Sequence, residues 1–242
     1  MVTYNEEDRI RDALESIRDA GEIVVVDAYS EDRTVDIADE YTDRVYRERW
    51  KGFSGQKNSA IGKATREWVL LLDADERVSE GLKEEIMEVV NNSRHDGFMI
   101  PRKSFFLGKW ISHSGWWPDY TLRLFRNGRG FIESRKVHER VEVKGSVGRL
   151  GSPLIHYTYE SIEQFVRKMD IYSSLAAEDM REQGRRFSCL RMLAAPPFTF
   201  LKMYLFRLGV MDGLHGLVLA ILYSYYSFLK YAKLWEDECI SE

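Results

Sequence analysis

Val69-Leu70-Leu71-Leu72-Asp73-Ala74-Asp75 is an unbroken apolar run that ends by delivering two carboxylates. Residues 68–72 read as a strand buried on both faces, because a short continuous apolar run without alternation fits a sheet covered on both sides. In an open α/β sheet, ligands gather beyond the carboxyl ends of the strands. An aspartate kept there is costly unless it has a partner. Asp73 and Asp75 stand two apart, so leaving the strand between them lets one reach a bound ligand and the other a cation. Hard carboxylate oxygens with few other ligands suit Mg2+ or Mn2+ bridged to a diphosphate. The competing reading is that both acids cap the next helix. Ile23-Val24-Val25-Val26-Asp27 has the same form, and its aspartate has the same two readings.

Outward from these strands, the first ninety residues alternate strand and helix. Asn5-Glu6-Glu7-Asp8 has the make-up of a helix start, with a capping residue and acids in the first turn. Ile10, Leu14 and Ile17 give that helix its apolar stripe. Helices are expected at residues 34–41, 54–64 and 79–91, and a short strand at 44–47. Strands joined by helical crossovers predict an α/β fold with a mostly parallel central sheet. From Gly97 the pattern changes. Residues 98–102, 121–125 and 140–143 read as strands around a Trp- and Gly-rich stretch. Ser161 and Gln164 form a capping box for a helix reaching about Gln183, with Phe165, Met169 and Tyr172 on one face. The expected division is 1–159 for the catalytic domain, split into halves at 95/96, and 160–242 for a C-terminal helical region.

With 242 residues, 44% apolar and 31% charged, the chain can bury a core, and disordered and collagen-like classes are excluded. Cys189 and Cys239 are too few for a disulfide scaffold, which points to a reducing compartment. No charged start followed by a short apolar run is present, so no signal peptide is expected. The net charge of −4 is unevenly spread. Residues 184–233 hold seven Lys or Arg against the single acid Asp212, and ten of the thirty-one aromatic residues. The longest stretch there without a charged residue is seventeen long, short of the ~20 that span a bilayer. A basic, aromatic segment of this kind reads as lying on an anionic membrane. The alternative is a helical subdomain packed on the catalytic domain or on a second copy of the chain. Breaks are expected at Pro196-Pro197 and at residues 209–216.

Thr3-Tyr4-Asn5-Glu6, Val26-Asp27 with Ser30-x-Asp32-x-Thr34, Gln56-Lys57-Asn58 and Leu72-Asp73-Ala74-Asp75-Glu76 follow one another in an order that resembles the nucleotide-sugar half of family 2 glycosyltransferases. Gly115-Trp116-Trp117-Pro118-Asp119, Arg123-Leu124-Phe125, Val137-His138-Glu139 and Ile155-His156-Tyr157 are similar to the lipopolysaccharide core β-glucosyltransferase branch. The resemblance implies a GT-A fold, inversion at the anomeric carbon and a UDP-type donor, with Mn2+ or Mg2+ as cofactor. It places Asp27 on the base, Thr3, Tyr4, Asn5, Glu6 and Lys57 around base and ribose, and Asp73 on the ribose. Asp75 would hold the metal, with His156 near it. Glu139 would be the general base, His138 a ligand or orienting donor, and Asp119 the next choice of base. Trp110, Trp116 and Trp117 have the flat apolar faces that suit sugar rings of an acceptor.

The resemblance further implies a glycolipid or glycan acceptor; the lack of spanning segments points to one sugar added per acceptor, and the basic tail to a cytoplasmic enzyme peripheral on the inner face of the membrane. No nucleic-acid partner is expected, and homo-oligomerisation stays open. Gln183-Gly184-Arg185-Arg186-Phe187 differs by one residue from a processive-synthase signature, but no spanning segments accompany it. Two rivals belong to other classes. A phosphatase of the haloacid-dehalogenase type also ends a strand in Asp-x-Asp, yet Arg77 stands where it needs Thr or Val. A catalytically silent sugar-nucleotide binder would have no use for Glu139.

Overall fold

The computed structural model describes residues 1–133 and 140–241. These form two compact units: Met1–Arg102 with Asp119–His156, and Lys103–Pro118 with Tyr157–Glu242.

The first unit opens with β1 (Val2–Thr3), α1 (Ile10–Glu15), β2 (Val25–Asp27), α2 (Thr34–Asp39) and β3 (Val45–Arg47). β1, β2 and β3 pair in parallel, and Thr3 lies level with Asp27 and Arg47. α1 begins at Ile10 rather than at Asn5, because the Asn5 side chain is used elsewhere: its Oδ1 accepts from the Glu31 amide at 2.9 Å. Ile10 and Leu14 on α1 are fully buried against Val25, Leu72 and Leu82, and each contributes about 1.5–3 kcal/mol by leaving water.

After α3 (Gly52–Lys63) the chain enters a second sheet through β4 (Trp68–Leu70), β5 (Glu76–Val78), α4 (Glu80–Asn92) and β6 (Gly97–Phe106). The short β7 (Lys109–Trp110) folds back on the far end of β6 and belongs to the second unit. β8 (Asp119–Arg126), β9 (Gly130–Glu133), β10 (Arg140–Val143), β11 (Val147–Arg149) and β12 (Leu154–Tyr159) follow. The order across this sheet is β4-β8-β6-β12-β5, with β7 and β11 on β6. Here the expected mostly parallel sheet needs correction. β1–β2, β2–β3 and β11–β6 pair in parallel, while β4–β8, β8–β6, β7–β6, β12–β5 and β9–β10 are antiparallel. The cause is not local: β8 and β12 return to pair with β4 and β5, strands laid down about fifty to eighty residues earlier, and no crossover helix sets their direction. Ser79, not Asp73 or Asp75, caps α4 through the Leu82 amide, which removes the capping reading of the aspartate pair.

In the second unit, α5 (Ile162–Glu182), α6 (Cys189–Leu201) and α7 (Leu214–Ser241) pack with α7 between the other two. Phe106, Ile111, Phe165, Met169 and Leu219 form its core. Ser161 caps α5 as expected, but Gln164 Oε1 reaches back to the amide of Glu160, one residue before the cap. The expected break at Pro196-Pro197 is absent, since both prolines lie inside α6. Proline's fixed φ is helical; its cost is the hydrogen bond its nitrogen cannot donate, which α6 offsets by packing along α7. The irregularity falls later, in a π turn at Lys202–Phe206 and a 3-10 turn at Gly209–Asp212.

Candidate functional site

Thr3-Tyr4-Asn5-Glu6 and Ser30-x-Asp32-x-Thr34 are one object. The Asn5 amide donates to Ser30 Oγ (2.8 Å), the Glu6 amide to Thr34 Oγ1 (2.7 Å) and the Glu7 amide to Asp32 Oδ2 (3.1 Å). The polar side chains of the second motif thus hold the backbone of the first. Burial works to raise the Asp32 pKa, but bonds from Thr34 and from backbone amides outweigh it and leave the carboxylate below its usual range. Asp27 is fully buried beneath this loop and accepts from Thr3 Oγ1 (3.0 Å), the Ser30 amide (2.8 Å) and Ser30 Oγ. Tyr4 is exposed, and Asn5 takes a left-handed backbone (φ 53°), which asparagine tolerates better than most residues.

The aspartate pair is held by two different sets of partners. Asp73 Oδ1 lies 3.2 Å from Lys57 Nζ, and Arg123 Nη2 donates to Asp73 Oδ2 at 2.7 Å. The same Nη2 bonds the fully buried Glu76 at 2.6 Å, and Glu76 accepts from the Asp73 amide at 3.1 Å. Burial alone would raise the Asp73 pKa; Arg123 and Lys57 reverse that and hold it well below the usual carboxylate range. The sheet register explains the meeting. Leu70 pairs with Leu124 across β4–β8, and the Leu71 amide donates to the Arg123 carbonyl, so Arg123 lies alongside the end of the apolar run. Arg102 pairs with Asp119 directly across β6–β8 and binds it through Nε at 2.9 Å.

Asp75 faces His156, with Nε2 and Oδ2 3.6 Å apart and both side chains mostly buried. β5 and β12 bring them together by pairing Glu76 with His156. Two ligands ~2.1 Å from one ion can stand this far apart, so the pair fits as part of a divalent-cation site. Among the described residues no three acidic, histidine or cysteine side chains converge, so the protein offers this pair and a bound anion would complete the shell.

Gln56-Lys57-Asn58 divides its work. Lys57 reaches Asp73, while Asn58 grips the Ile132 peptide on β9 twice, donating to its carbonyl and accepting from its amide at 2.9 Å each. β9 leads directly into residues 134–139. Val137, His138 and Glu139 lie there, outside the described residues. A cavity of about 190 Å3 lies elsewhere, lined by Met1, Val24, Ile61 and Trp68 at the starts of the strands.

The acceptor candidates Trp110, Trp116 and Trp117 belong to the second unit. Trp110 and Trp117 meet edge to face at 5.7 Å, with Lys103 over Trp110. Trp116 instead packs on Phe106, Tyr159 and Tyr223. Gly115 has φ +84° and lies against Arg207, where any Cβ would come 2.0 Å from its guanidinium. Sequence reasoning gave no role to Arg123, Glu76 or Asn58. Arg123 and Glu76 carried one signal, charges set beside apolar runs that form strands, where an ion persists only with partners.

Residues 1–144 match the sequence model of the family described as glycosyl transferase family 2. Over 99% of the chain, and 92% of the relative, the sequence is 32% identical to the lipopolysaccharide core biosynthesis glycosyltransferase LpsC of Rhizobium meliloti (strain 1021). It is also 32% identical, over 98% of the chain and 85% of the relative, to an uncharacterized glycosyltransferase of Rickettsia typhi. Among solved structures, S. aureus TarS 1-349 in complex with UDP-GlcNAc aligns with all of the chain and 90% of its own, at TM-score 0.51 and 15% identity. That likeness concerns the fold alone.

Proposed function

Because the chain belongs to glycosyl transferase family 2, we propose that it transfers one hexose, with inversion, from a UDP-type donor to a lipid-linked or lipopolysaccharide-core glycan. The observation that carries this reading is the split company of the aspartate pair. Asp73, kept ionised by Lys57 and Arg123, can accept hydrogen bonds from ribose hydroxyls. Asp75 and His156 offer a carboxylate oxygen and an imidazole nitrogen that would hold Mn2+ or Mg2+. Such an ion, when bound, supplies charge neutralisation for the diphosphate leaving group. The stitched loop of Thr3, Tyr4, Asn5 and Glu6, with Asp27 beneath it, frames the base and ribose.

Glu139 takes the proton of the attacking hydroxyl, which inversion without a covalent intermediate requires of a single base. Asp119, in the first unit, and His138 serve the acceptor; of the tryptophans, Trp110 and Trp117 keep that role, while Trp116 packs on Phe106, Tyr159 and Tyr223. The identity to LpsC across nearly the whole chain supports a lipopolysaccharide-core acceptor and work at the cytoplasmic face of the membrane.

Calorimetry of UDP binding with and without Mn2+ tests the reading. The wild type binds more tightly with the ion, and Asp75→Asn loses that gain while still binding UDP weakly. Equal metal-assisted binding by both proteins would remove Asp75 from the role.

A further inference from the structure

The second unit exposes an apolar surface. Between residues 185 and 214, Leu190, Leu193, Phe198, Phe206, Met211 and Leu214 are each between 62% and 78% exposed. On α4, by contrast, the outward positions include Glu80, Glu84 and Glu88. Large apolar side chains clustered at this exposure mark an interaction surface rather than ordinary surface composition. Every exposed charge in the same stretch is positive: Arg185, Arg186, Arg191, Lys202 and Arg207. The one acid, Asp212, is 2% exposed and is consumed internally. Its carboxylate accepts from the amides of Ser112 and His113 and from Ser112 Oγ, all at 3.0–3.1 Å. Folding therefore withdraws the only acid of this stretch; the acid that α7 brings to its start, Glu238, is bonded to the Phe187 amide, and the exposed apolar side chains share the stretch with five exposed cations.

We propose that α6 and the turns that follow it are a docking face for an anionic lipid bilayer, with the apolar side chains entering the headgroup boundary and the arginines and Lys202 on the lipid phosphates. No helix of the described residues is long and apolar enough to cross a membrane, so the segment lies on the surface. A second copy of the chain is the weaker occupant, because a twofold contact through this face sets five cations against five. The proposal stands independently of the transferase reading.

Sedimentation with phosphatidylcholine vesicles, with and without phosphatidylglycerol, tests it. The wild type pellets with the anionic vesicles, less as salt rises from ~0.1 M to ~1 M and the screening length falls from ~10 to ~3 Å. Arg191→Glu with Lys202→Glu lowers partitioning ~10-fold or more. Phe206→Ser with Met211→Ser lowers it at both salt concentrations, and circular dichroism confirms that each variant stays folded. Wild-type protein remaining in the supernatant with anionic vesicles overturns the proposal. So does a lipid-free dimer that the Phe206→Ser, Met211→Ser variant converts to monomer.

Discussion

Arg123 shows how one side chain ties the aspartate pair to the sheet. Its Nη2 bonds Asp73 and Glu76 together, so removing any of the three leaves an uncompensated charge near or within the core. Asp73 keeps 29% of its side chain in solvent, which places its loss near the low end for broken buried pairs. Asp73→Asn should cost about 3 kcal/mol at pH 7. The pH dependence follows from the direction of the shift. A carboxylate held below its ordinary pKa adds stability that is complete above the unfolded value of ~3.9 and fades as pH falls towards the folded value. Urea unfolding of wild type and Asp73→Asn should therefore differ most at neutral pH, with the gap narrowing steadily from ~pH 4 down to ~pH 2. A gap that stays constant down to that pH would mean the carboxylate is not held by charge.

At the scale of elements, Asn58 joins α3 to β9 as a strand neighbour would, satisfying both polar groups of the Ile132 peptide. Asn58→Ala leaves a buried N–H and C=O without partners and should cost about 2–4 kcal/mol in a thermal or urea melt. A loss below ~0.5 kcal/mol, the scale of ordinary surface substitutions, would show the grip to be dispensable. The elements themselves were largely legible. The apolar runs at Val25 and Val69 are strands, and Ser79 and Ser161 cap their helices. The misses have physical causes. Asn5 resembled a helix cap, but its side chain bonds the Glu31 amide twenty-six residues away, which no local pattern reveals. Pro196-Pro197 resembled a break, yet packing on α7 outweighs two unmade hydrogen bonds. Strand polarity in the second sheet was hidden for the same reason, since it depends on which strands become neighbours.

For the whole molecule, the motifs named residues that the fold brings into contact, without revealing which of them hold the others in place. Ser30, Asp32 and Thr34, like Arg123, were read only as parts of motifs; the first three hold the backbone of residues 5–7, and Arg123 holds Asp73. The central claim, transfer from a nucleotide sugar with Glu139 as base, needs no acceptor to be tested. Incubating the protein with a panel of UDP-hexoses and Mn2+, and measuring UDP released by slow attack of water, isolates the step. The account predicts that the wild type hydrolyses at least one donor, and that Glu139→Gln does so ~10²–10⁴-fold more slowly while binding UDP with unchanged affinity. Release of UDP by Glu139→Gln at the wild-type rate, or no donor bound or hydrolysed by the wild type, would contradict it.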